Sequence, residues 1–99
     1  MKIPVEASDQ VITFMRHLAP EPRQRLRLAL RDLTEEKGDM RALEADLSGF
    51  YRLRAGRYRV IFHYRTVRGR RRIRCEFAEA RSIVYQVFSE ISRQLPSPE

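Results

Sequence analysis

The chain has one cysteine, two lysines and no tryptophan among its 99 residues. A single thiol, Cys75, excludes an internal disulfide, which suits a reducing compartment. Its strand-like surroundings make it a small buried hydrophobe rather than a nucleophile. No apolar run approaches the roughly 18 residues of a membrane span. The opening stretch MKIPVEASD lacks an apolar h-region, which predicts no secretory leader and a cytoplasmic location. No His, Cys and carboxylate cluster stands at ligand spacing, so no metal centre is expected. No G-x-x-x-x-G-K occurs, so no nucleotide loop is indicated. The chemistry must come from ordinary side chains without a cofactor. Repeats, low-complexity tracts and linkers are lacking too, which leaves one domain over residues 1–99.

What is abundant is arginine. Lysine and arginine number 20 against 13 aspartates and glutamates, a formal net charge of +7, and lysine occurs only at Lys2 and Lys37. An excess of this kind calls for an anionic partner, nucleic acid, acidic protein or membrane surface. The guanidinium fork suits phosphate and carboxylate. A GC-rich genome that favours arginine codons is the competing explanation.

Hydrophobic periodicity predicts the order β-α-α-β-β-β-α. Residues 2–6 read as a short strand. Ser8 or Asp9 caps a helix over 9–18, in which Val11, Phe14, Met15 and Leu18 form one stripe. Pro20 and Pro22 break this helix, and a second, with Pro22 in its first turn, runs to about Lys37. Leu26, Ala29, Leu30 and Leu33 are its buried stripe, Arg23, Arg27 and Arg31 its solvated face, and Gly38 its stop. Residues 39–48 read as a connector with helical character. Three strands of period two follow, turning at Gly56-Arg57 and at Arg68-Gly69-Arg70. A last helix carries Ile83, Val84, Val87, Phe88, Ile91 and Leu95, and Pro96 ends it. The class is α+β, with two N-terminal helices and a C-terminal helix packed on a small curved antiparallel sheet.

The stretch YRLRAGRYRVIF, residues 51–62, places like charges together. A turn on Gly56 and Arg57 sets Leu53 against Val60 and Arg54 against Arg59, and the second pair is destabilising by a few tenths of a kcal/mol. Arg52 follows on the same face. This predicts three exposed guanidiniums in one patch, flanked by Ile61 and His63. Either acids such as Glu44, Asp46, Glu76 and Glu79 neutralise them, or they bind phosphate or carboxylate.

LSGFYRLRAGRYRVIF, a second hairpin and ARSIVY at a helix start resemble the RelE/ParE superfamily, small basic toxins of bacterial type II toxin–antitoxin systems. The resemblance covers the whole chain in element order and is strongest over residues 47–85. It implies helices on a small curved antiparallel sheet and an acidic antitoxin as partner. It also implies one of two activities: metal-independent cleavage of mRNA on the ribosome, which inhibits translation, or inhibition of DNA gyrase. An inactive antitoxin-binding member is a third option. For the nuclease it implies catalytic positions at Arg52, Arg54, Arg59 and Tyr85 and a substrate contact at Arg81; His63, beside Arg59 on its strand, is expected as a second substrate contact. Two departures stand out. Arginines occupy strand positions that are often lysine, and Glu79 stands where a further arginine is common. Cleavage through the RNA 2′-hydroxyl also needs proton transfer, for which arginine is unsuited, so Tyr85, His63 and Glu79 are the candidates.

Overall fold

A computed structural model describes residues 2–94. Strand β1 is Val5–Ala7, followed by helices α1, Asp9–Arg16, and α2, Pro20–Leu33. Strands β2, Asp39–Ala42, β3, Tyr51–Ala55, β4, Tyr58–Val67, and β5, Arg70–Ala80, come next, and helix α3, Val84–Ile91, closes the order. The five strands make one sheet in the order β1-β5-β4-β3-β2.

Most of these elements follow from local chemistry. Ser8 caps α1, its hydroxyl oxygen accepting from Val11 N–H at 3.2 Å. Pro20 stands first in α2, where its missing N–H costs nothing. The β3–β4 register is the expected one, with Leu53 opposite Val60 and Arg54 opposite Arg59. Gly56 turns this hairpin at φ +62°, and a side chain there would press on Arg25 of α2.

Several expectations need correction. Residues 39–48 contain a strand, β2, before a 3-10 turn at Ala45–Leu47. The sheet is mixed rather than antiparallel, because β1 runs parallel to β5. Helix α2 ends at Leu33, four residues early. The chain then reverses through Glu36 at φ +56°, so Gly38 lies in the following loop. Arg23 is not part of a solvated face, since its Nη2 donates to the carbonyls of Arg16 and Leu18 and so caps α1. Ile83 precedes α3 and is exposed. The expected roles of Leu95 and Pro96 lie outside the described residues.

The sheet separates two apolar clusters. Helices α1 and α2 cover one face with Val11, Leu26 and Leu33 against Leu53, Val60, Phe62, Ile73 and Cys75. Burial pushes the Cys75 thiol up to about 12. The other face is covered only in part. There α3 sets Val84 and Phe88 over Phe50, Ile61 and Phe77. Beyond that patch, the same face carries most of the sheet's arginines.

Candidate functional site

Cross-strand partners share a face, so the register maps the arginines directly. One row across the sheet reads Asp39, Arg54, Arg59 and Glu79, and the next reads Arg41, Arg52, Ile61 and Phe77. Both rows lie on the face that α3 half covers.

Across these two rows the three guanidiniums have different surroundings. Arg54 is exposed, with 54% of its side-chain surface open. Arg52 is largely covered, and its Nη1 donates to the Asp39 carboxylate at 3.2 Å and to the Asp39 carbonyl at 3.3 Å. Asp39 also stands 3.9 Å from Arg54. Arg59 is buried, at 9% exposure, and its Nη1 donates to the carbonyls of Gly56 and Tyr58, both at 2.9 Å. These bonds clamp the turn. The expected patch of three exposed arginines is therefore corrected to one open guanidinium beside two anchored ones. Ile61 and His63, expected as its flanks, are buried as well.

The neutralising acid is Asp39, at the start of β2. Its signal was present but short: in DMRA, Met40 packs on the core while Asp39 and Arg41 alternate with it. Glu79 opposes Arg59 in the register, yet one of its oxygens accepts from Ala80 N–H at 2.9 Å. Among the described residues Glu79 forms no ion pair.

His63 stands apart from this row. Its ring packs edge-to-face on Phe50 at 5.3 Å. Its Nε2 lies 2.8 Å from a Glu76 oxygen; a carboxylate only accepts, so that nitrogen is the donor. The Nδ1 atom is buried without a partner. A β-bulge between Ile61 and Phe62 on β4 and the paired β5 leaves Glu76 without a partner in the ladder, which lets its side chain reach this pocket.

Arg81 follows β5 and is exposed. Its N–H donates to the Arg57 carbonyl at 2.9 Å, which ties it to the β3–β4 turn. Tyr85 is exposed on the first turn of α3, four residues later. The fold thus gathers Arg54, Arg59, Glu79 and Arg81 at one end of the sheet and leaves His63 in the apolar cluster under α3. Among the described residues no helix is long and apolar enough to cross a membrane.

Arg forks beside a carboxylate and a phenol can bind a phosphodiester and move protons. Comparison with known proteins bears on which of these the chain does. No family model matches the sequence, and no curated protein matches it significantly. Solved structures do match. One is the archaeal RelE–RelB complex from Pyrococcus horikoshii, at 30% identity and a TM-score of 0.60, covering 82% of this chain and 97% of the matched one. Another is the RelBE2 toxin–antitoxin complex of Mycobacterium tuberculosis, at 19% identity and a TM-score of 0.67, covering 82% and 100%. A third is a YoeB/ParE toxin from Agrobacterium tumefaciens, at 10% identity and a TM-score of 0.63, covering 79% and 98%. The second and third share the fold. The first adds sequence likeness along nearly the whole archaeal chain, and with it the protein belongs to the RelE/ParE toxin superfamily.

Proposed function

We propose that this protein is the toxin of a type II toxin–antitoxin pair and acts as a metal-independent, ribosome-dependent mRNA endonuclease in the cytoplasm. The observation that carries this reading is the gathering of Arg54, Arg59 and Arg81 at the β3–β4 turn, beside the helix that bears Tyr85. Arg54 and Arg81 hold the scissile phosphate. Arg59 has spare N–H groups after its two carbonyl bonds, and these stabilise the negative charge that builds up in the transition state. Arg52, fixed by Asp39, orients the neighbouring guanidinium.

In the step itself the 2′-oxygen attacks phosphorus and the bond to the 5′-oxygen breaks, leaving a 2′,3′-cyclic phosphate. The 2′-hydroxyl proton passes to the free oxygen of Glu79, and Tyr85 protonates the departing 5′-oxygen. His63, held by Glu76, packs on Phe50, which in turn packs on Phe88 of α3 and supports that helix from within. The partner that silences the toxin is an acidic, amphipathic antitoxin segment laid along α3, where Ile83 and Tyr85 are exposed.

One observation favours a second reading, a ParE-like inhibitor of DNA gyrase or an inactive antitoxin-binding member. Arg52 and Arg59 are spent on contacts inside the chain. Expression without antitoxin separates the readings. The nuclease halts methionine incorporation while thymidine incorporation continues, and Tyr85→Phe lowers cleavage of ribosome-bound mRNA by roughly 10²–10⁴-fold. An SOS response with normal translation would overturn it in favour of gyrase. Normal growth would favour the inactive member.

A further inference from the structure

The β4–β5 hairpin ends in RTVRGRRRIR, residues 65–74, which holds six arginines. Arg65 stands directly opposite Arg72. Like charges so placed repel, and few internal partners relieve them. Glu6 lies 3.7 Å from Arg65 and 3.6 Å from Arg72, and Glu36 lies 3.7 Å from Arg71. All three separations exceed a hydrogen bond, and Glu6 Oε1 is buried without one. Arg68 and Arg70 are exposed, and their side chains make no ion pair or hydrogen bond among the described residues.

The turn points the same way. Arg68 and Gly69 both have positive φ, 54° and 78°, the signature of a two-residue hairpin turn that Asn-Gly suits best. Arginine at the first position costs about 1 kcal/mol of backbone strain. Nothing folded against the turn repays it, since the space around Gly69 is open. Beside the tip lies a cavity of about 690 Å³, with Lys2, Arg70, Arg71 and Arg72 in its wall against the single acid Glu36.

We infer that this hairpin is a second cationic surface, which docks on the phosphate backbone of double-helical RNA. Its arginines lie on both faces, Arg65 and Arg72 on one and Arg71 on the other, so a single tip can reach two phosphate rows. The narrow major groove of A-form RNA brings such rows together. The aromatic ring nearest the tip, Tyr64, is covered by Arg71 at 4.4 Å. Stacking on unpaired bases, the usual means of holding single strands, is not available to it. The choice of RNA over DNA rests on the proposed translational target, whereas the surface itself does not.

The test uses the purified chain and a fluorescein-labelled 20-base-pair RNA duplex, with binding followed by anisotropy between 50 and 300 mM salt. Arg68→Asn with Arg70→Gln removes two charges while improving the turn, so loss of fold cannot explain a loss of binding. Arg27→Gln with Arg31→Gln on α2 removes the same charge elsewhere. The hairpin variant should bind about tenfold or more weakly, and its log–log salt slope should flatten by roughly two. The α2 variant should stay close to the parent. Equal losses in both variants would reduce the effect to net charge and overturn the proposal, as would an unaffected hairpin variant. Tighter binding to the same duplex made of DNA, or to a single strand, would overturn the choice of partner. None of these outcomes depends on cleavage, so the nuclease reading stands or falls separately.

Discussion

In the β3–β4 hairpin Arg54 stands opposite Arg59, and in the β4–β5 hairpin Arg65 stands opposite Arg72. The first hairpin is relieved by the fold at two of its three arginines, Arg59 and Arg52, while Arg54 stays open. Arg59 turns back on two carbonyls, and Asp39 supplies a carboxylate to Arg52 and lies near Arg54. The second pair has only Glu6, beyond hydrogen-bonding distance of both. A like-charge register therefore does not by itself mark a ligand site. What separates the two is whether a neighbouring strand or turn presents an acceptor within reach. Strand β2 does so for the first hairpin, whereas the tip of the second projects beyond the short strand β1.

The comparison can be broken most directly at Arg59. Arg59→Ala leaves the Gly56 and Tyr58 carbonyls without their donor, and should cost roughly 2–4 kcal/mol. Arg70→Ala should stay within about 0.5 kcal/mol of the parent. Urea unfolding measures both, and equal costs would erase the distinction between the hairpins.

A control lies beneath them, on the core face of β5, the strand that follows both turns. The buried Cys75 thiol has its pKa raised from 9.0 to about 12. Between those values the unfolded chain has lost the thiol proton that the folded chain keeps. Stability is therefore full below about pH 9 and falls by up to about 1.4 kcal/mol per pH unit as pH rises toward 12. Replacing Cys75 with Ala should remove this part of the slope in pH-dependent melting, leaving the arginine contrasts intact.

The smallest contrast sets the two acids against each other. Asp39→Asn should cost about 1 kcal/mol, because Arg52 is largely covered, and Glu6→Gln no more than about 0.5 kcal/mol. Added salt should shrink the Asp39 effect. A larger loss at Glu6 would mean that the second hairpin is held internally after all.

The helical stripes and both turns were legible because each follows from one local rule. Val11, Leu26 and Leu33 are buried where a period of 3.6 puts them. Gly56 and the Arg68-Gly69 pair turn where positive φ is needed. The misses in the sheet share a physical cause, since each depends on a strand distant in sequence. β2 is four residues long, and only its pairing with β3 makes it a strand. β1 is parallel because β5 accepts it, a choice its three residues do not encode. Arg59 is buried because its long side chain folds back on the carbonyls of its own turn, which the alternation of faces does not reveal, and His63 because a bulge brings Glu76 to it. At the site, the resemblance supplied Arg54, Arg81 and Tyr85 as candidates, whereas the anchoring of Arg52 by Asp39 needed coordinates.

The side-chain amide of Gln10 donates to the Ala78 carbonyl and accepts from the Ala78 N–H, both at 2.8 Å. It fills a rung that no strand occupies, just beyond the end of β1. Ser8 grips the same stretch of β5, with its N–H on the Cys75 carbonyl and its hydroxyl on the Glu76 carbonyl. The first ten residues are thus fastened to partners near residue 78, a closure that spans most of the chain. A nascent copy leaving the ribosome can form α1 and α2 early, but it cannot complete its sheet until β5 has emerged. Closures of this range are entropically slow, so completion of the sheet waits for β5 and not for the helices.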